Sequence, residues 1–331
     1  MLTAVIKSQG APSSTDASPA SLSAACHDPN TVFWLDMAGP TPDEYKLLDT
    51  IFHFHPLAIE DAQQHVQRPK IESYQHVGDS AGRPYFYIVF HSPDLETFRT
   101  KLRLHEIDMF LSERYLVTIH DAPTKASTEM LARAKADPDA VLGAGIDQLL
   151  YSVLDRLVDS YEPILDHLQE VIDELEERAT LQPTPDVLNA IAHRKRELLN
   201  LRRVVGPQRE VIAQLTRGEV PFVRESTRVY LRDVQDHLFR VVEMVELYRD
   251  LVTGARDIYL ASISNNLNQI MKTLTIISVI ALPMTVVTGF FGMNFESIPG
   301  LHSRTGFWIT VAAMAALVTT MLLFFRHKRW L

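Results

Sequence analysis

Two long stretches without a charged residue close the sequence, and they limit what the chain can become more than any other feature. The first, Leu274–Phe291, reads LTIISVIALPMTVVTGFF, and the second, Gly306–Phe325, reads GFWITVAAMAALVTTMLLFF. As helices rising 1.5 Å per residue, runs of this length cover roughly 27–30 Å, close to the hydrocarbon thickness of a bilayer. Lys272 precedes the first run, and Arg326, Lys328 and Arg329 close the second. Positive residues collect on the cytoplasmic face of a membrane. Both brackets mark that face, so both termini are expected in the cytosol and the loop Asn294–Thr305 outside. The expected setting is a plasma membrane of the bacterial inner type, with membrane helices at 272–292 and 306–325, a loop at 293–305 and a basic tail at 326–331. A buried helical hairpin in a soluble protein is the competing reading, and it leaves the basic brackets unexplained.

Along the first run one face stands apart. Asn268, Met271, Thr275, Ser278, Leu282, Thr285, Gly289 and Gly292 recur at alternating spacings of three and four, and all but Met271 and Leu282 are small or polar. Leu274, Ile276, Ile277, Val279, Ile280, Val286, Val287 and Phe290 lie between them and suit lipid. A seven-residue repeat holds one helix face against its neighbours in a left-handed bundle. Hydroxyls and glycines there serve either close helix packing or a water-lined path, and the spacing does not choose between them. One or two spans cannot enclose a path, so a pore requires several copies around an axis. Pro283 is tolerable, because membrane helices accommodate proline.

Upstream, no proline falls between Pro221 and Pro283, and Val229, Leu231, Val234, Leu238, Val241, Val242, Met244, Val245, Leu247 and Leu251 recur at helical spacing. This predicts a stalk helix over 221–271. If it runs on into the first span, the helix is on the order of 100 Å long. The alternative is a break near Thr253–Gly254.

The rest reads as a cytosolic portion. VFWLDM, YFYIVFH, KLRLHEIDMFLS and YLVTIH are strand-like, while TPDEYKLLDTIF and HPLAIEDAQQ look helical, with Thr41 and Glu44 forming a capping box. An α+β domain, an α/β sandwich with some parallel pairing, is expected over 31–140, and a helical arm pair over 141–220 with its turn at TLQPTP. Residues 1–30 combine an apolar start, too short for a signal-peptide core and interrupted by Lys7, with an Ala/Ser/Pro-rich stretch, and are expected to be a disordered leader. Glu170, Asp173, Glu174, Glu176 and Glu177 form an acidic run, read as a solvated face or as a loose collector of cations. A net charge of −9 argues against nucleic acid as a partner. Cys26, the single cysteine, excludes an intrachain disulfide or a thiolate metal site. His53, His55, His65, His76, His91, His105 and His120 show no zinc-peptidase spacing. No phosphate loop, nucleophile elbow or catalytic carboxylate motif appears, so an enzyme reading has no support.

FFGMNFESIPGL, which joins the two spans, resembles the signature of the CorA family of magnesium and cobalt channels: an aromatic followed by Gly-Met-Asn. The resemblance extends to HPLAIEDAQQHVQRPKIE, YLRDVQDHLFR, SNNLNQIMKTLTIISVIALPMTVVTGFFGMNF and the terminal KRWL. It implies a homopentamer in which an α/β domain and a helical arm surround a long stalk that becomes the pore helix. It implies a pore lined by Asn268, Met271, Leu282, Thr285, Gly292 and Asn294, which favours the pore reading of the stripe, and a selectivity filter of Gly292, Met293 and Asn294.

Mg2+ sheds water reluctantly and prefers octahedral oxygen surroundings. A ring of neutral Asn294 amides suits a hydrated ion that must also leave, where carboxylates would hold it too tightly. Leu282 would be an apolar constriction. The resemblance also implies that regulatory Mg2+ bridges Asp61 of one subunit and Asp233 of the next, with Asp257 a second candidate; low cytosolic Mg2+ then loosens the ring. Many family loops carry a glutamate after the loop proline, where this sequence has Pro299-Gly300; Glu296 remains. The expected function is influx of Mg2+, with Co2+ and Ni2+ as further cargo, through a channel embedded in lipid. A Zn2+ transporter of the ZntB type, with proton coupling as one form of it, and a membrane-tethered metal sensor that conducts nothing are the alternatives.

Overall fold

The computed structural model describes residues 1–10, 12–74, 84–93, 102–122, 125–293, 303–328 and 330. The chain divides into two compact units, one of Met1–Glu177 with Asp186–Ala255 and one of Arg178–Pro185 with Arg256–Leu331.

The first unit is built on a six-stranded sheet of strands β1 Leu2–Ser8, β2 Thr31–Ala38, β3 Lys70–Tyr74, β4 Tyr85–Pro93, β5 Leu104–Leu111 and β6 Tyr115–His120, in the order β1-β2-β6-β5-β4-β3. β2 and β6 pair in parallel and the other neighbours antiparallel, so the sheet is mixed. Its central strands are buried on both faces, which is why they read as near-continuous apolar runs. One face carries Phe33, Leu35, Met37, Tyr85, Val117 and Ile119. It packs against helices α1 Pro19–His27, α2 Pro42–Thr50 and α3 Pro56–Gln64 and the Phe52–Phe54 corner between the last two. The stacked Phe54 and Phe110 rings, 4.1 Å apart, anchor that corner.

Helices α4 Lys125–Ala136, α5 Pro138–Leu142 and α6 Ile146–Asp159 follow. Met130 of α4 and Val153 and Leu157 of α6 face Trp34, Thr118 and His120 on the other side of the sheet. The result is the α/β sandwich expected from the sequence.

The expected disordered leader over 1–30 is corrected. Residues 2–8 are strand β1, paired with β2 from Leu2↔Met37 to Ser8↔Thr31, and Ala4 and Val5 are fully buried. The Ser/Pro-rich stretch supplies a helix start instead: Ser18 Oγ accepts from Ser21 N, with Pro19 in the first turn of α1.

The arm region holds three helices, α6, α7 Glu162–Leu181 and α8 Pro185–Arg217. Pro163 stands in the first turn of α7, where a proline fits, and the chain turns at Ser160 and Tyr161. Tyr161 is fully buried and donates to the His91 carbonyl at 3.1 Å and Gln208 Oε1 at 3.0 Å.

Helix α9 runs unbroken from Glu225 to Phe291, through both Gly254 and Pro283, which excludes the break near Thr253–Gly254. Helix α10, Arg304–His327, is the second apolar helix, capped by Ser303. Both are long and apolar enough to cross a membrane.

Candidate cation path and regulatory site

In the second unit, α9 presents two faces of different character. Ile276 is buried, and Lys272, Ile280, Pro283, Met284, Val287 and Phe291 are half-buried. Val287, Thr288, Phe291 and Gly292 share a cleft with Gly306, Phe307, Thr310, Val311 and Met314 of α10. Asn268, Met271, Thr275, Ser278, Leu282, Thr285, Gly289 and Gly292 are all exposed. At about 100° per residue the stripe from Asn268 to Gly289 lies roughly opposite the face turned to α10, and Gly292, at the helix end, borders the cleft. Two long apolar side chains on it, Met271 and Leu282, are 65% and 68% exposed, the state of groups that another copy or lipid must cover.

The two threonine hydroxyls of the stripe are satisfied within the helix. Thr275 Oγ1 donates to the Met271 carbonyl at 2.8 Å and Thr285 Oγ1 to the Ala281 carbonyl at 2.9 Å. A threonine whose proton is used this way turns its oxygen lone pairs outward, so the face offers acceptors at no desolvation cost to the helix.

Helix α9 stops where Gly292 N donates to the Thr288 carbonyl at 2.9 Å and Met293 N to the Phe290 carbonyl at 3.3 Å. A Cβ on Gly292 would stand 3.1 Å from the Thr288 carbonyl, tighter than ordinary contact, so glycine eases this helix end. Asn294, Glu296 and Arg329 lie outside the described residues. Arg326 and Lys328 are exposed at the end of α10, and Lys272 is half-buried.

The proposed regulatory carboxylates are in the first unit, apart from Asp257. Asp61, on the last turn of α3, is held by Lys70 Nζ at 2.6 Å and Gln67 Nε2 at 3.0 Å, and Lys70 also reaches Glu72 at 2.9 Å. Burial lowers the Lys70 pKa, but Asp61 and Glu72 outweigh it and raise it overall, so the ammonium stays charged. Asp233 is exposed on α9, with His237 Nε2 3.8 Å away. Asp257, in the second unit, is exposed beside Arg256 at 3.7 Å.

Two residues that sequence reading passed over join Asp233. Asp159 Oδ1 stands 3.7 Å from His237 Nδ1, and Asp155 lies one turn earlier on α6. Burial and then the Asp159 charge raise the Asp155 pKa, with Asp233 adding to it. A cation would relieve that repulsion. Spacing gives a faint signal: Asp155 and Asp159, and Asp233 and His237, are both i,i+4 pairs. The acidic run on α7 is largely exposed, as a solvated face should be.

A mixed α/β domain, a long helix with an apolar C-terminal part and a second apolar helix define the class: an α/β domain followed by two C-terminal helices long and apolar enough to cross a membrane. The chain belongs to the family of CorA-like Mg2+ transporter proteins, whose pattern it matches over residues 29–328. That is a transporter family and not an enzyme family. YfjQ of Bacillus subtilis is 37% identical over 298 residues, 90% of this chain and 89% of that protein. The cobalt/magnesium transport protein CorA of Thermotoga maritima is 32% identical over 305 residues, covering 92% and 85%. In three dimensions the complete CorA magnesium transporter of Methanocaldococcus jannaschii matches with a TM-score of 0.82 at 24% identity, covering 99% of this chain and 98% of that one. The fold is therefore that of CorA, and the chain is a CorA-like divalent cation transporter.

Proposed function

We propose that this chain is the subunit of a cyclic homo-oligomer, a pentamer, that conducts hydrated Mg2+ into the cytosol, with Co2+ and Ni2+ as further cargo. The carrying observation is the exposed small and polar stripe of α9, opposite the face turned to α10. Copies placed around an axis would cover Met271 and Leu282 and bring the Thr275, Ser278 and Thr285 oxygens to the path. Leu282 forms its apolar constriction. The Asn294 ring meets the ion at the mouth and hydrogen-bonds its water shell, supported by Gly292 and Met293. Five amides carry no net charge, so the ion is recognised without being trapped. Glu296 and the basic residues Lys272, Arg326, Lys328 and Arg329 set the field at the two ends.

Regulation follows from the carboxylates. Mg2+ bound between Asp61 of one subunit and Asp233 of the next ties them; Asp257 adds a weaker site. To take an ion, Asp61 must exchange the Lys70 ammonium for it, so closure needs an appreciable cytosolic Mg2+ concentration.

Flux into liposomes tests the reading. Mg2+ uptake that is independent of a proton gradient, exceeds Zn2+ uptake and is lost or deregulated in Asn294→Ala supports it. Zn2+ uptake coupled to protons would replace it with the ZntB-type transporter, and no uptake with a tethered sensor.

A further inference from the structure

Sequence spacing gave no reason to group His65 with a carboxylate, yet the fold brings it together with two inside the first unit. His65 ends α3 in the left-handed region, with φ of 47° and ψ of 40°. Few side chains adopt that conformation without compensation. Here it turns the imidazole towards β5, where Glu106 and Asp108, two residues apart, share one face. One ligand atom from each of His65, Glu106 and Asp108 lies within 4.8 Å of the other two. Glu106 is 4% exposed and Asp108 fully buried.

Each of the three is held by one atom and leaves another without a partner. The Tyr45 hydroxyl donates to the Ala62 carbonyl at 3.1 Å, so towards His65 Nε2, also at 3.1 Å, it accepts. That places a proton on Nε2 and turns Nδ1 inward. Gln67 N donates to Glu106 Oε2 at 2.8 Å, and the Tyr87 hydroxyl donates to Asp108 Oδ1 at 2.6 Å. His65 Nδ1, Glu106 Oε1 and Asp108 Oδ2 remain buried without a hydrogen bond; the nearest approach, Nδ1 to Oδ2, is 3.4 Å. Unpaired buried polar atoms are rare, and three in one cluster call for a missing partner.

We propose that His65, Glu106 and Asp108 form a resident site for a divalent transition-metal ion of the Zn2+ or Co2+ kind, which fastens the end of α3 to β5. One imidazole nitrogen and two carboxylate oxygens suit such an ion, whereas Mg2+ prefers oxygen alone. Two carboxylates balance its charge. Ligand atoms around one zinc ion stand about 3.3 Å apart, so side-chain rotation by about 1 Å closes the shell, with water completing it. Tyr45, Gln67 and Tyr87 are the outer partners that fix ligand orientation in metal sites. Asp108, 3.4 Å from His65 Nδ1, raises the His65 pKa, so a His65–Asp108 ion pair is the arrangement that a metal ion must displace. His91 Nε2 is 3.7 Å from Glu106, but burial pushes the His91 pKa down to about 4, so it is neutral. The site is also linked to the proposed gate, because Gln67 donates to Glu106 through its backbone and to Asp61 through its side chain.

The test uses the full-length protein in detergent, stripped with chelator, then equilibrated with Co2+ or Zn2+ under a large excess of Mg2+ that fills oxygen-only sites. After desalting, metal is counted by mass spectrometry and Co2+ is read by its visible ligand-field absorption. Wild type is expected to retain one ion per chain, with that absorption, and to gain thermal stability from Zn2+. His65→Gln and Asp108→Asn are expected to bind at least tenfold more weakly and to lose the Zn2+-dependent stabilisation, while Asp233→Ala retains both. Retention unchanged in His65→Gln, or no ion retained by wild type, overturns the proposal and leaves a His–Asp pair. If Asp108→Asn does not fold, His65→Gln decides, since its imidazole is at the edge of the cluster and 21% exposed.

Discussion

Asp147 offers a sharp test of how the stalk is anchored. It stands in the first turn of α6, 4% exposed, and caps the start of α9. Its Oδ2 accepts from Arg224 N at 3.1 Å, Arg224 Nε at 2.9 Å and Thr227 Oγ1 at 2.6 Å, and its Oδ1 from Arg224 Nη2 at 2.5 Å. Asp147→Ala leaves the Thr227 hydroxyl, 1% exposed, and the Arg224 N–H without an acceptor. An orphaned buried donor costs about 1–3 kcal/mol. The Arg224 side chain is 57% exposed, so water recovers most of its part. The sum is about 3 kcal/mol, or about 6–12 °C for a unit of this size. Asp147→Asn keeps an acceptor and should lose about half of that. Melting of wild type and both variants, followed by intrinsic fluorescence in one detergent, measures it. A shift under about 2 °C in Asp147→Ala would refute the view that this carboxylate pins the two helices together.

Other perturbations follow from the same geometry. Lys70→Met removes the ammonium that competes for Asp61; a partly exposed pair is worth up to about 1 kcal/mol, so Mg2+-dependent protease protection should appear at about two- to fivefold lower Mg2+. An unchanged midpoint would separate Asp61 from regulation. Burial opposes a charge on His120, but Asp36, at 3.1 Å, outweighs it, and the pKa rises above its ordinary 6.5. The pair's contribution is therefore full below about pH 6.5 and is lost as pH rises through the elevated value. The stability gap between wild type and His120→Gln, measured by melting across pH 5.5 to 9, should shrink in that window; a gap that is constant or widens would contradict the assignment.

Much of this was legible in residue order because it is written in local periods. The two apolar helices announce themselves by length and lack of charge, and the unbroken α9 by sixty residues without proline. The capping box at Thr41 and Glu44 is present with both of its hydrogen bonds. What was missed is non-local. β1 looked like a leader because its seven residues make sense only beside β2, some thirty residues on. The arm's extra turn hides at Tyr161, whose hydroxyl finds its partners at His91 and Gln208. His65 meets Glu106 and Asp108 across about forty residues, by way of a left-handed backbone that no spacing rule anticipates. Asp155 and Asp159 gain meaning only when α6 lies along α9. The stripe itself was visible; that it faces away from α10 was not, because the choice of face depends on where the second helix packs.

Whether that stripe lines the cation path can be read by thiol block of Mg2+ influx in liposomes. With Cys26→Ala as background, Ser278→Cys and Thr285→Cys place a thiol on the stripe, and Val279→Cys places one on an exposed position beside it. A positively charged thiol reagent should stop Mg2+ influx in the first two and leave the third conducting. Equal block at all three positions, or block at Val279 alone, would contradict a path lined by this face of α9.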